Sequence, residues 1–255
     1  MSDAVRERVV EAGGHRVVFL DDGDRDSGDA VTVLYAHMEA EHAHAVYALL
    51  PRGARPVLAA ITDAEWTRDL SPWPAPGLTA RSAPFAGGAA AHLAALASTV
   101  VPAVEAQLAL RPAHRGLVGY SLDGLFALYA ASRSPLFDLC ASVSGSLWYD
   151  GFVDDLEQRL LHPCPDSNSA SSKTTLALHA AYLSLGRREQ RNARNTRMRT
   201  VGAATERAHA LLAAAGVRTV FELNPGSHFD DVPARIARAI IWLCGSCGDC
   251  GGAGP

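Results

Sequence analysis

Strand-like and helix-like patterns alternate along most of the chain. Two β-rich runs, residues 5–11 and 15–20, flank Gly13-Gly14. Glycines supply the positive φ of a tight two-residue turn, so the pair predicts an opening antiparallel hairpin. Beyond the acidic stretch 21–29, short apolar runs at 31–35, 56–61, 116–120, 139–143, 176–185 and 217–223 read as strands buried on both faces. Helical patterning lies between them, at 41–50, 88–110 with a bend at Pro102, 122–132, 149–161, 203–215 and 232–243. Strands alternating with helices imply parallel pairing through right-handed crossovers. The expected architecture is α/β, a mostly parallel central sheet with a leading antiparallel hairpin and helices on both faces. One domain is expected over residues 1–243, with a flexible Cys/Gly-rich tail over 244–255. Residues 63–85, rich in Pro and Trp, read as a loop over the carboxyl edge of the sheet, and the Ser-rich 163–174 as a surface insertion.

Composition narrows the function. The chain has 255 residues, 48% hydrophobic, and a net charge of −4 without a like-charged run, which excludes a nucleic-acid binder with its basic stripe. No apolar stretch approaches the ~20 residues of a membrane span, and residues 1–8 lack the apolar core of a signal peptide. A cytoplasmic enzyme without membrane contact is expected, and the oligomeric state is not legible. Of the five cysteines, Cys140 and Cys164 are isolated, while Cys244, Cys247 and Cys250 crowd the C-terminus. Three thiolates lack the fourth ligand of a closed zinc site, so a reduced tail is the reading. Asp22, Asp24 and Asp26 resemble a calcium loop, but Ser27 stands where the turn glycine belongs, and a solvated loop is expected.

The candidate chemistry sits at two strand-to-helix junctions. In Gly119-Tyr120-Ser121-Leu122-Asp123-Gly124, a serine lies between an apolar strand and a helix. Such an elbow exposes a weak nucleophile to a base, and the amide of Leu122 can donate to an oxyanion. Asp123 departs from the small residue expected there. In Asn224-Pro225-Gly226-Ser227-His228-Phe229, a histidine follows the last strand, at the edge where ligands bind. His228 is therefore the candidate base. The acid of such a triad follows the preceding strand, where the loop reads Arg187-Arg188-Glu189, making Glu189 the choice. Asp230 and Asp231 read as caps of the last helix. The loop 36–44 after the first parallel strand offers a second oxyanion amide near Met38, and its His and Glu density reads as loop chemistry without a metal. His37, Tyr120, Trp73 and Trp148 are the candidate substrate contacts, with Tyr149 and, less favoured, Trp66 beside them.

These motifs, with Ser144-Gly145-Ser146-Leu147-Trp148-Tyr149, Leu183-Ser184-Leu185-Gly186 and Ser71-Pro72-Trp73-Pro74-Ala75-Pro76, appear together and in order. The chain thereby resembles the esterase family that includes the enterochelin (siderophore) esterases and esterase D, over residues 31–243. The resemblance implies an α/β-hydrolase fold and cofactor-free hydrolysis of small-molecule carboxylic esters, with Ser121 as nucleophile and His228 as base. Relatives often carry Asp at the position of Arg187, and a Ser–His dyad without an acid stays open. Two other functions also stay open: an acyltransferase using the same site, and an impaired esterase-like binding protein, for which Asp123 is the motive.

Overall fold

A computed structural model describes residues 5–23, 31–108, 111–161, 176–189, 191 and 195–247. The acidic stretch beyond Gly23, the Ser-rich segment and Cys250 lie outside these residues. The hairpin forms from β1 (Arg6–Ala12) and β2 (His15–Asp21). Gly13 and Gly14 have φ of 61° and 80°, the mirror-image turn whose twist suits an antiparallel pair. Then follow β3 (Val31–His37), α1 (Ala40–Ala48), β4 (Val57–Ile61), α2 (Trp66–Asp69) and a two-residue ladder of β5 (Pro74–Ala75) with β6 (Phe85–Ala86). The second half comprises α3 (Ala89–Ala95), a π-helical turn (Leu96–Val100), α4 (Val101–Leu108), β7 (Pro112–Tyr120), α5 (Leu122–Ala131), β8 (Leu139–Val143), α6 (Phe152–Leu161), β9 (Ala180–Gly186), α7 (Val201–Ala214), β10 (Arg218–Asn224) and α8 (Val232–Ser246).

The eight long strands form one sheet in the order β1-β2-β4-β3-β7-β8-β9-β10. β2 is antiparallel to both β1 and β4, and the remaining neighbours are parallel. This is the expected α/β-hydrolase arrangement. Two apolar layers cover the sheet. Val33 and Tyr35 of β3 face α3 to α7, whereas Leu34 and Ala36 face α1 and α8. Burial on both faces explains why the strands read as unbroken apolar runs.

Several boundaries differ from the sequence expectation. Helix 88–110 is interrupted by the π turn, which ends just ahead of Pro102. Proline offers no amide to the preceding turn, and the wider turn accommodates that loss. The continuous helix Ala89–Leu108 has 20 residues and a mean hydropathy of 1.4, so by length and composition it could cross a membrane. The expectation that no segment has that character is corrected. Its alanines and valines raise the index, and Leu96, Val100, Val101 and Val104 pack against the sheet. α8 runs to Ser246, past the expected boundary at 243, because Cys244 is buried against Ile240 and its neighbours.

Candidate active site

The parallel strands deliver their carboxyl ends to one edge, where the candidate residues meet. Ser121 joins β7 to α5 with φ 60° and ψ −118°, backbone that L-residues seldom adopt. Its amide donates to the Val143 carbonyl at 3.0 Å, and this anchors the strained turn. Gly119 is required here. A Cβ at that position would lie 2.2 Å from the carbonyl of Asp123. The amide of Leu122 opens α5, where no residue of the preceding helical turn exists to accept it.

His228 Nε2 lies 3.0 Å from Ser121 Oγ, and its Nδ1 lies 2.9 Å from Glu189 Oε2. A carboxylate at Nδ1 fixes the proton there and leaves Nε2 free to accept from the serine. The loops carrying the two residues are zipped together, the Arg187 amide donating to Asn224 at 2.9 Å and the Arg188 amide to Gly226 at 3.0 Å. Glu189, the sequence choice over the Arg187 position, is thus the carboxylate that reaches the imidazole. Arg187 itself points toward the Leu223 carbonyl. Burial acts to raise the Glu189 pKa. Hydrogen bonds from His228, Ser144 Oγ, the Gly186 amide and Arg235 outweigh it and hold the carboxyl down to about 2. Glu189 is therefore ionised across the working range.

Other expectations need correction. The Met38 amide donates to the Ile61 carbonyl at 3.2 Å, continuing the β3–β4 pairing, so it is already committed. The Leu122 amide remains the candidate oxyanion donor. His37 borders the cavity, but its ring turns inward to Asp123 and to His92, whose Nε2 is 2.8 Å from its own. Tyr120 lines the cavity, yet its hydroxyl donates to the His228 carbonyl and receives Arg235 at 3.1 Å. It braces the base. Trp73 is excluded from the cavity: its indole N–H donates to the Asp150 carbonyl at 3.1 Å, and its carbonyl accepts from the Tyr149 hydroxyl. Trp148 does line the cavity, and so does Trp66, which the sequence reading favoured less. Asp230 accepts from the Ser227 amide and hydroxyl at 2.7 and 3.0 Å, shaping the turn before His228. Asp231 has φ 53° and makes no side-chain cap. Asp230 holds the loop, and neither side chain caps α8.

Above Ser121 opens a cavity of about 1480 Å³ with walls that include Trp66, Leu78, Phe85, Trp148, Met198 and Phe229. Asp123 does not contact His228. It is 1% exposed and pairs with His37, so the motive for an impaired site is absent. Three contributors escaped sequence reading: Ser144, with φ 48° after β8, His92 and Arg235. Ser144 opens one of the motifs that carry the family resemblance, and Arg235 left a signal as a charge flanking the apolar stripe Val232, Ile236, Ala239, Ile240 and Leu243.

Comparison with known proteins gives the chain a family and a fold. Uncharacterized protein YbbA from Bacillus subtilis (strain 168) is 26% identical over 156 residues, 60% of this chain. The match spans 58% of that relative's length. Siderophore hydrolase EstA from Aspergillus nidulans has the same fold, with a TM-score of 0.69 at 21% identity, covering 95% of this chain and 94% of that one. An IroE-like serine hydrolase from Shewanella oneidensis superposes with a TM-score of 0.70 at 18% identity, over 93% of this chain and 79% of that one. The family model described as "Putative esterase" matches residues 11–228, most of the chain. The chain belongs to that family, and its class is that of the α/β-hydrolase-fold ester hydrolases.

Proposed function

We propose that the chain hydrolyses carboxylic esters by acyl transfer through Ser121. The observation that carries this reading is the unbroken hydrogen-bond chain from Ser121 Oγ through His228 to Glu189, at 3.0 and 2.9 Å. His228 Nε2 removes the serine proton as Oγ attacks the ester carbonyl, and Glu189 stabilises the imidazolium that forms. The Leu122 amide donates to the oxyanion. The imidazolium then protonates the leaving alcohol, and the neutral ring activates water to release the acid. None of these steps calls for a cofactor.

The size and apolar walls of the cavity support a bulky ester as substrate. The siderophore class named for the similar fungal hydrolase is a candidate of that size. The proposal is tested with p-nitrophenyl acetate and butyrate on the wild-type chain and on Ser121→Ala. Hydrolysis by the wild type and its loss in a folded Ser121→Ala protein are expected. Undiminished hydrolysis by the variant would refute the assignment.

A further inference from the structure

Arg235 lies on α8 and is 2% exposed, a depth at which a charged side chain needs partners. Its Nη1 donates to the Tyr120 hydroxyl and to the Ser227 carbonyl, both at 3.1 Å. Its Nη2 donates to Glu189 Oε1 at 3.0 Å and to Ser144 Oγ. Tyr120 immediately precedes Ser121, and Ser227 immediately precedes His228. One guanidinium thus grips the triad acid and the residues before both other triad members. The Tyr120 hydroxyl extends the grip by donating to the His228 carbonyl.

Glu189 divides its two oxygens. Oε2 faces His228, while Oε1 receives Arg235, Ser144 at 2.7 Å and the Gly186 amide. A carboxylate bonded to histidine alone would act on the imidazolium with its full charge. A buried cation on the other oxygen offsets part of that charge. We propose that Arg235 is a positioning residue: it locks the three triad-bearing turns together and tempers Glu189, so that His228 sheds its proton and becomes a competent base at lower pH. The inference rests on the triad reading above.

Among the described residues, the charged and titratable groups around His228 are Glu189 after β9, Tyr120 on β7, Arg235 on α8, and the Arg188–Asp230 pair at 3.1 Å. That last pair is largely exposed and screened by solvent. Arg235 is the buried cation among them.

The test is the pH profile of kcat/KM for p-nitrophenyl butyrate with Arg235→Met, Arg235→Gln and Arg235→Lys, each checked for folding by circular dichroism. Removing the charge leaves Glu189 to hold the imidazolium more tightly. The acidic limb should therefore move to higher pH, by about one unit, in Arg235→Met. Arg235→Gln, which keeps hydrogen-bond donors without charge, should show the same displacement and decides the matter if the methionine variant does not fold. Arg235→Lys should leave the limb near its wild-type position while kcat falls. Folded Met or Gln variants with an unmoved limb would overturn the electrostatic role, because purely structural damage lowers the rate without displacing the limb. A wild-type profile with no acidic limb would instead overturn the triad reading, and the role of Arg235 with it.

Discussion

The carboxylate of Asp123 holds His37 twice, taking its backbone amide at 3.1 Å and its Nδ1 at 2.6 Å. The residue two places after the nucleophile thereby ties the elbow to the end of β3, under the cavity floor. His92 continues the cluster at 2.8 Å. Burial, then the neighbouring His37, pushes the His92 pKa down to about 3, so that ring is neutral and one proton is shared between the two Nε2 atoms.

Asp123→Ala should accordingly destabilise the fold, on the order of 1–3 kcal/mol, because the buried amide and ring nitrogen of His37 would lose their acceptor. Urea denaturation measures the loss, and hydrolysis of p-nitrophenyl butyrate should not rise. A stable Asp123→Ala protein with much higher activity would mean that the carboxylate cripples the elbow.

Glu189→Gln should lower kcat by roughly 10³- to 10⁴-fold while leaving KM near the wild-type value, because the amide favours the wrong imidazole tautomer. The pH dependence of stability follows from the same group. Its carboxyl is depressed from 4.5 to about 2 in the folded chain, so its contribution is complete above 4.5 and is lost as pH falls toward 2. The melting temperature of the wild type should shed this component across that window, and Glu189→Gln should not. Parallel melting curves for the two proteins would contradict the assignment.

The cavity walls separate the tryptophans. Trp148→Ala and Trp66→Ala should raise KM for long-chain p-nitrophenyl esters roughly 10- to 100-fold, since one lost apolar contact is worth roughly 1–3 kcal/mol, and should change acetate hydrolysis little. Trp73→Ala should lower the melting temperature without changing chain-length preference. Equal effects of all three on KM would contradict the cavity assignment.

The sheet and the places of the three candidate triad residues are legible because each depends on local pattern. The apolar runs mark strands buried on both faces, and Ser121, Glu189 and His228 each follow such a run on the chain. What escaped depends on contacts between distant segments. Arg235 is an ordinary helix residue until Tyr120, Ser144, Glu189 and Ser227 converge on it from four loops and strand ends. The amide of Met38 could not be known to be spent on Ile61 before the β3–β4 register was fixed. Trp66 and Trp73 differ only in which way α2 and the β5 segment turn the ring, and hydrophobicity carries no such direction. Asp123 gives the sequence a motive for an impaired site because spacing along a helix does not reveal that its carboxylate faces β3.

The central claim is that Ser121 is the activated nucleophile of an ester hydrolase. Covalent labelling with a fluorophosphonate, followed by mass mapping of the modified peptide, tests it most directly. The account predicts one adduct, on Ser121, formed by the wild type, abolished in Ser121→Ala and strongly slowed in His228→Ala. Folded protein that stays unlabelled, or that carries the adduct on another residue, would contradict it.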